Sequence, residues 1–152
     1  MKSIVARLLP SRNAGSISLK KKPGTAAHLD LGRRGEDFAA AYLKQNGYKV
    51  LYRNFRGPKG GEVDIICRDK AEKKLVFVEV KTRTSEEYGR PITAVDRAKQ
   101  VFIARGALAW LRMLDDPEVG FRFDVVEVVM EDEHPVITLV QDAFVLPAPY
   151  RY

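Results

Sequence analysis

The chain has 152 residues, 45% of them hydrophobic, with 26 basic, 20 acidic and one cysteine, enough for one domain with a core and too few for a multidomain assembly. No apolar run approaches the roughly 20 residues of a membrane helix, a lone cysteine forms no internal disulfide, and two histidines supply no structural zinc set. The expectation is a soluble, cytoplasmic protein with no membrane partner.

The net charge of +6 is concentrated in residues 1–29. Lys2, Arg7, Arg12, Lys20, Lys21 and Lys22 have no acid among them there, and the remainder holds 20 basic and 20 acidic residues. This stretch is rich in Ser, Gly and Lys and shows no sustained apolar period, so 1–29 reads as a disordered basic N-terminal arm ahead of a domain over 30–152. A solvated leader, a phosphate-attracting arm and a targeting peptide all fit its composition.

Asp30 can cap a helix running to about Asn46, with Leu31, Phe38, Tyr42 and Leu43 near one face and Gly47 as the stop. Tyr48 to Phe55 alternates as a strand and is broken by Gly57-Pro58-Lys59-Gly60-Gly61. Glu62 to Arg68 and Leu75 to Lys81 read as a hairpin around the polar stretch Asp69 to Lys74. After a loop over Thr82 to Pro91, a second helix is expected from about Thr93 to Leu114, striped by Val95, Phe102, Leu108 and Leu111 and weakened at Gly106. Strands at Phe121 to Met130 and Val136 to Val140 follow. The order α-β-β-β-α-β-β, without internal repeat, points to an α/β fold with one mixed central sheet flanked by helices.

Chemistry gathers in the central hairpin. Leu75 to Val78 is apolar at every position, as in a strand covered on both faces, and charges appear only at its end. Period two puts Glu79 and Lys81 on one face, roughly 7 Å apart along the chain. In the partner strand the same period groups Val63, Ile65 and Cys67 on one side and Glu62, Asp64 and Ile66 on the other. A hairpin symmetric about Ala71 and Glu72 sets Asp64 opposite Glu79 and Glu62 opposite Lys81. Two opposed carboxylates repel. A hard cation between them reverses the sign, and Mg²⁺ is commonly held by one or two carboxylates plus water and phosphate oxygens. The plain alternative is an exposed charged face with a Glu62–Lys81 ion pair. Cys67 reads as an inert core thiol, Trp110 as core, and neither His28 nor His134 has triad partners.

Gly32-Arg33-Arg34-Gly35-Glu36, then Gly61-Glu62-Val63-Asp64-Ile65-Ile66, then Phe77-Val78-Glu79-Val80-Lys81-Thr82-Arg83, together resemble the YraN-like family. The resemblance runs on through Tyr88 to Pro91 and the helix start at Ala94 to Lys99. That family is grouped with the PD-(D/E)xK nuclease superfamily and resembles archaeal Holliday junction resolvases. The resemblance implies a restriction-endonuclease-like αβββαβ core and Mg²⁺- or Mn²⁺-dependent phosphodiester hydrolysis. By position, Asp64 and Glu79 would be metal ligands, Lys81 would assist the attacking water, and Glu36 would reach the metal directly or through water. Val63 stands where the superfamily carries Pro.

Arg83, Arg90, Arg97 and Lys99 follow this site in sequence and are candidates for the DNA backbone. The function expected is a metal-dependent DNA endonuclease acting on branched or general substrates. Two other classes compete: a non-catalytic nucleic-acid-binding accessory protein with the same fold, and a structural or partner-binding domain. Oligomeric state stays open, a homodimer included.

Overall fold

A computed structural model describes residues 3–7, 25–84, 95–131 and 134–151. Its elements are β1 (Ser3–Arg7), α1 (Thr25–Gln45), β2 (Tyr48–Arg56), β3 (Glu62–Asp69), β4 (Leu75–Thr84), α2 (Arg97–Met113), β5 (Phe121–Glu131) and β6 (His134–Phe144). The six strands form one sheet in the order β1-β6-β5-β4-β3-β2. Only β4 and β5 pair in parallel, across the connection that contains α2, and every other neighbour is antiparallel. From α1 to β5 the order is the expected αβββαβ.

The helices cover opposite faces. On the α1 side Ala39, Tyr42 and Leu43 pack with Ile65, Cys67, Val78, Val126 and Leu139. On the α2 side Ile103, Ala107 and Leu111 pack with Phe55, Val63, Ile66, Phe77 and Phe123. Apolar burial on both faces explains why Leu75 to Val78 and most of β5 lack alternation.

Glycine governs how closely the helices approach. A Cβ on Gly35 would lie 1.8 Å from Thr82 Oγ1, so α1 sits against β4 at a distance no side chain permits. Gly106 does the same on the other face, where an added Cβ would stand 3.0 Å from the Glu62 nitrogen and from Val63 Cγ2. The residue that weakens the α2 pattern in isolation is what brings α2 onto β3.

Several expectations are corrected. The disordered arm over 1–29 does not hold at its two ends. Ser3–Arg7 pairs with β6, Ser3 opposite Val140 and Arg7 opposite Val136, because Ile4 and Val5 favour an edge strand. The first helix begins at Thr25, before Asp30. The lysine run at 20–22 lies outside the described residues. The second helix starts later than expected, since the Asp96 carboxylate accepts from Lys99 N at 2.8 Å and caps it. Phe102 leaves the apolar stripe and is exposed, with Lys99 over its ring. β6 runs on to Phe144, past polar residues that resemble a turn. Asp142 adopts a positive φ there, and its N–H donates to the buried Asp124 carboxylate.

At the end of the sheet where β4 and β5 begin, Arg122 is buried among acceptors. Its guanidinium meets Asp124 through Nε, Glu72 through Nη1, and Asp69 and Tyr48 through Nη2, at 2.9–3.1 Å. Burial works against its charge, yet Asp124 and Asp69 hold its pKa above the ordinary arginine value.

Candidate active site

At the other end of the sheet the hairpin opens. β3 and β4 pair in the expected register from Arg68↔Leu75 to Ile65↔Val78, where the ladder stops. Asp64 Oδ2 accepts from the Val80 N–H at 2.8 Å, a side chain taking the place of a backbone acceptor. Beyond this point β4 continues only with β5, through Glu79↔Val125 to Thr84↔Met130.

Side-chain alternation in β3 also breaks at Asp64. Val63 packs toward α2, while Ile65 and Cys67 pack toward α1. The expectation that these three share one face fails because the opposite strand is irregular here, with Asn54 at φ 52°. Asp64 is thereby turned toward the gap between strands.

Glu79 is 8% exposed. Its Oε1 lies 3.0 Å from Lys99 Nζ, and its Oε2 is buried with no hydrogen-bond partner. Asp64 lies near enough for the two carboxylates to act on one another. Burial, then the negative charge of Glu79, push the Asp64 carboxyl up to about 7, against the Val80 N–H and the Lys99 charge. Lys99 loses solvation by burial, but Glu79 and Asp64 outweigh that and hold its pKa above the lysine norm.

Glu36 reaches this region from α1. Asn54 Nδ2 donates to its Oε2 at 3.0 Å, and Arg53 lies 3.9 Å away, closer to Asp37. Burial raises its pKa, the Asn54 bond lowers it, and the charge of Asp64 raises it again. Among the described residues, no three His, Cys, Asp or Glu side chains stand close enough to hold a metal ion. Glu36 stands beside the carboxylate pair, near enough for the charge of Asp64 to act on it. The pair itself fits a hard cation that keeps water and phosphate ligands, because it offers one buried oxygen with no other partner.

Lys81 is partly buried and lies opposite Glu127 in the β4–β5 register. Glu62 pairs with Arg56 at 3.3 Å. Three of the basic residues assigned to the DNA backbone have partners within the chain. Arg83 is ion-paired with the buried Glu127, Lys99 with Glu79, and Arg97 donates to the Ala148 carbonyl at 3.1 Å. Arg90 lies outside the described residues.

Sequence reading missed Asn54 and Glu127. Glu127 left a signal, a single acid between Val125-Val126 and Val128-Val129 that needs a buried partner. Asn54 left only the tolerance of asparagine for positive φ.

The profile of the Uncharacterised protein family UPF0102 matches residues 35–128. The chain belongs to this family. It is 46% identical over 116 residues to a UPF0102 protein of Geobacter metallireducens, covering 76% of this chain and 93% of the relative. With a UPF0102 protein of Geobacter sulfurreducens identity is 49% over 117 residues, covering 76% and 89%. With one of Caldicellulosiruptor saccharolyticus it is 43% over 117 residues, covering 76% and 97%. The UPF0102 match opens at Gly35, one residue before Glu36, and closes at Val128, one after Glu127. It spans the whole carboxylate region and leaves out β1 and β6. No helix among the described residues is long and apolar enough to cross a membrane.

Proposed function

We propose that this UPF0102 chain is a divalent-cation-dependent nuclease of the PD-(D/E)xK kind, hydrolysing phosphodiester bonds in DNA. One observation carries the reading: Glu79 Oε2 is buried and unpartnered on a carboxylate set against Asp64, where the β3–β4 ladder ends. An unsatisfied buried acceptor and two apposed carboxylates are each unfavourable alone. A cation sharing both carboxylates relieves both.

Asp64 and Glu79 would hold Mg²⁺ or Mn²⁺, which when bound polarises a phosphate oxygen and lowers the pKa of water. The remaining tasks fall to the chain. Lys81, one strand period beyond Glu79, assists the attacking water and meets charge growing on the phosphate. Lys99 anchors Glu79 through their ion pair. Glu36, fixed by Asn54, accepts hydrogen bonds from water next to Asp64.

Full-length protein incubated with linear, flap and four-way-junction DNA in Mg²⁺ or Mn²⁺ should cleave at least one form. Asp64→Asn and Glu79→Gln should abolish cleavage while circular dichroism stays native. Lys81→Ala should slow turnover by about 10²-fold or more and leave Mn²⁺ binding unchanged by calorimetry. The Lys99–Glu79 ion pair favours a second reading, because it neutralises Glu79 without metal. Binding of DNA with no cleavage of any DNA or RNA form would establish that reading, an accessory protein that binds nucleic acid without turnover.

A further inference from the structure

A cavity of 560 Å³ lies between the β2–β3 turn and α2 from Arg105 onward, lined by Lys59, Arg105, Leu108, Arg112, Met113 and Tyr150 among others. Three of its lining side chains are cationic and none is acidic. By contrast, the most buried cations of the sheet are matched, Arg83 by Glu127, Lys99 by Glu79 and Arg122 by Asp124. Lys59 and Arg112 face no carboxylate among the described residues. Uncompensated positive charge attracts an anion.

The cationic wall is built into the fold. The Arg105 guanidinium donates to the Lys59 carbonyl, which ties the turn to the helix. Gly61 presses against α2 so closely that an added Cβ would lie 2.4 Å from the Gly106 nitrogen. The rest of the lining is apolar, with Leu108, Ala109 and Met113 beside the Tyr150 ring. Cations beside an aromatic and apolar surface suit a nucleotide, its phosphate on the charges and its base against the ring. The turn also stands at the end of the sheet that holds Asp64. Gly60 precedes Asp64 by four residues, which span at most about 13 Å when extended. At about 3.4 Å of rise per nucleotide, that is no more than roughly four nucleotides of a stacked strand.

We infer that this cavity binds single-stranded nucleic acid, seating a nucleotide within a few positions of the phosphate at Asp64 and Glu79. Its placement along the strand rests on the nuclease reading, whereas binding does not. A labelled oligothymidine titrated into the full chain in EDTA, followed by anisotropy between about 50 and 200 mM salt, reads the cavity without cleavage. Lys59 and Arg112 are exposed, so Lys59→Gln with Arg112→Gln should fold normally. The pair should weaken binding about tenfold at low salt and flatten the log–log salt slope by up to about 1.4, or 0.7 per contact. Tyr150→Ala should weaken binding at least about fivefold with the slope unchanged.

Wild-type affinity and slope in the double variant would overturn the inference, as would polyglutamate competing as well as unlabelled oligothymidine. An altered slope with no effect of Tyr150→Ala would overturn the nucleotide assignment in favour of a bare anion site. Absence of nuclease activity would leave this binding result standing. Conversely, Glu79-dependent cleavage with unaltered binding in the cavity variants would sink the cavity alone.

Discussion

Asp64 sits where its surroundings oppose its charge. Glu79 of β4 and Glu36 of α1 bear on it with like charge, Lys99 of α2 with opposite charge, and burial outweighs the Val80 N–H. A folded pKa of about 7 against the ordinary 3.8 means that the native state holds the proton more tightly than the unfolded chain does. The associated stability is fully present below about pH 4 and is lost as pH rises through 7. In metal-free urea denaturation, Asp64→Asn should therefore be more stable than wild type at pH 8 by on the order of 2 kcal/mol, and nearly equal to it at pH 4. A constant difference across that range would contradict the electrostatic account. Asp64 and Glu79 were legible as charges ending a doubly covered run. The Lys99–Glu79 pair was not, since nothing local in sequence brings the start of α2 to the end of β4.

At the scale of elements, the helix-to-sheet distances depend on residues that contribute no side chain. Gly35→Ala would drive a methyl into Thr82 and push α1 off β4, taking Glu36 with it. A loss of about 2–3 kcal/mol is expected. Thr82→Ala should recover part of it by removing Oγ1, a coupling that a double-mutant cycle in chemical denaturation measures directly. Periodicity located the two helices and five of the six strands, because two-sided burial leaves long apolar runs and polar turns punctuate them. It could not locate β1, whose five residues Ser3–Arg7 sit in a basic segment and become a strand only because β6 offers an edge. The break of alternation at Asp64 was equally hidden, since it depends on the backbone of Asn54 in the neighbouring strand.

Across the whole molecule, buried charge is divided between the two ends of the sheet. At one end Arg122 is matched on every nitrogen by Asp124, Asp69, Glu72 and Tyr48. At the other, Glu79 keeps an oxygen unmatched. The first end should serve stability: Arg122→Ala leaves Asp124 buried without its counter-ion and should cost about 3–5 kcal/mol, read as a fall in denaturation midpoint. Catalysis by any surviving folded fraction should be unchanged per molecule, because the carboxylate pair is at the far end.

The pairing of β1 with β6 also imposes an order in time. Ser3 meets Val140, so β1 finds its partner only after every other strand of the sheet has been synthesised. Until then β6 is unmade and β1 has no strand to pair with. Contacts between chain ends form slowly, and the outer edge of β6 remains an open template for foreign strands during that interval. Closure of this edge makes β1 the last strand of the sheet to be secured, although it precedes the other five in the chain.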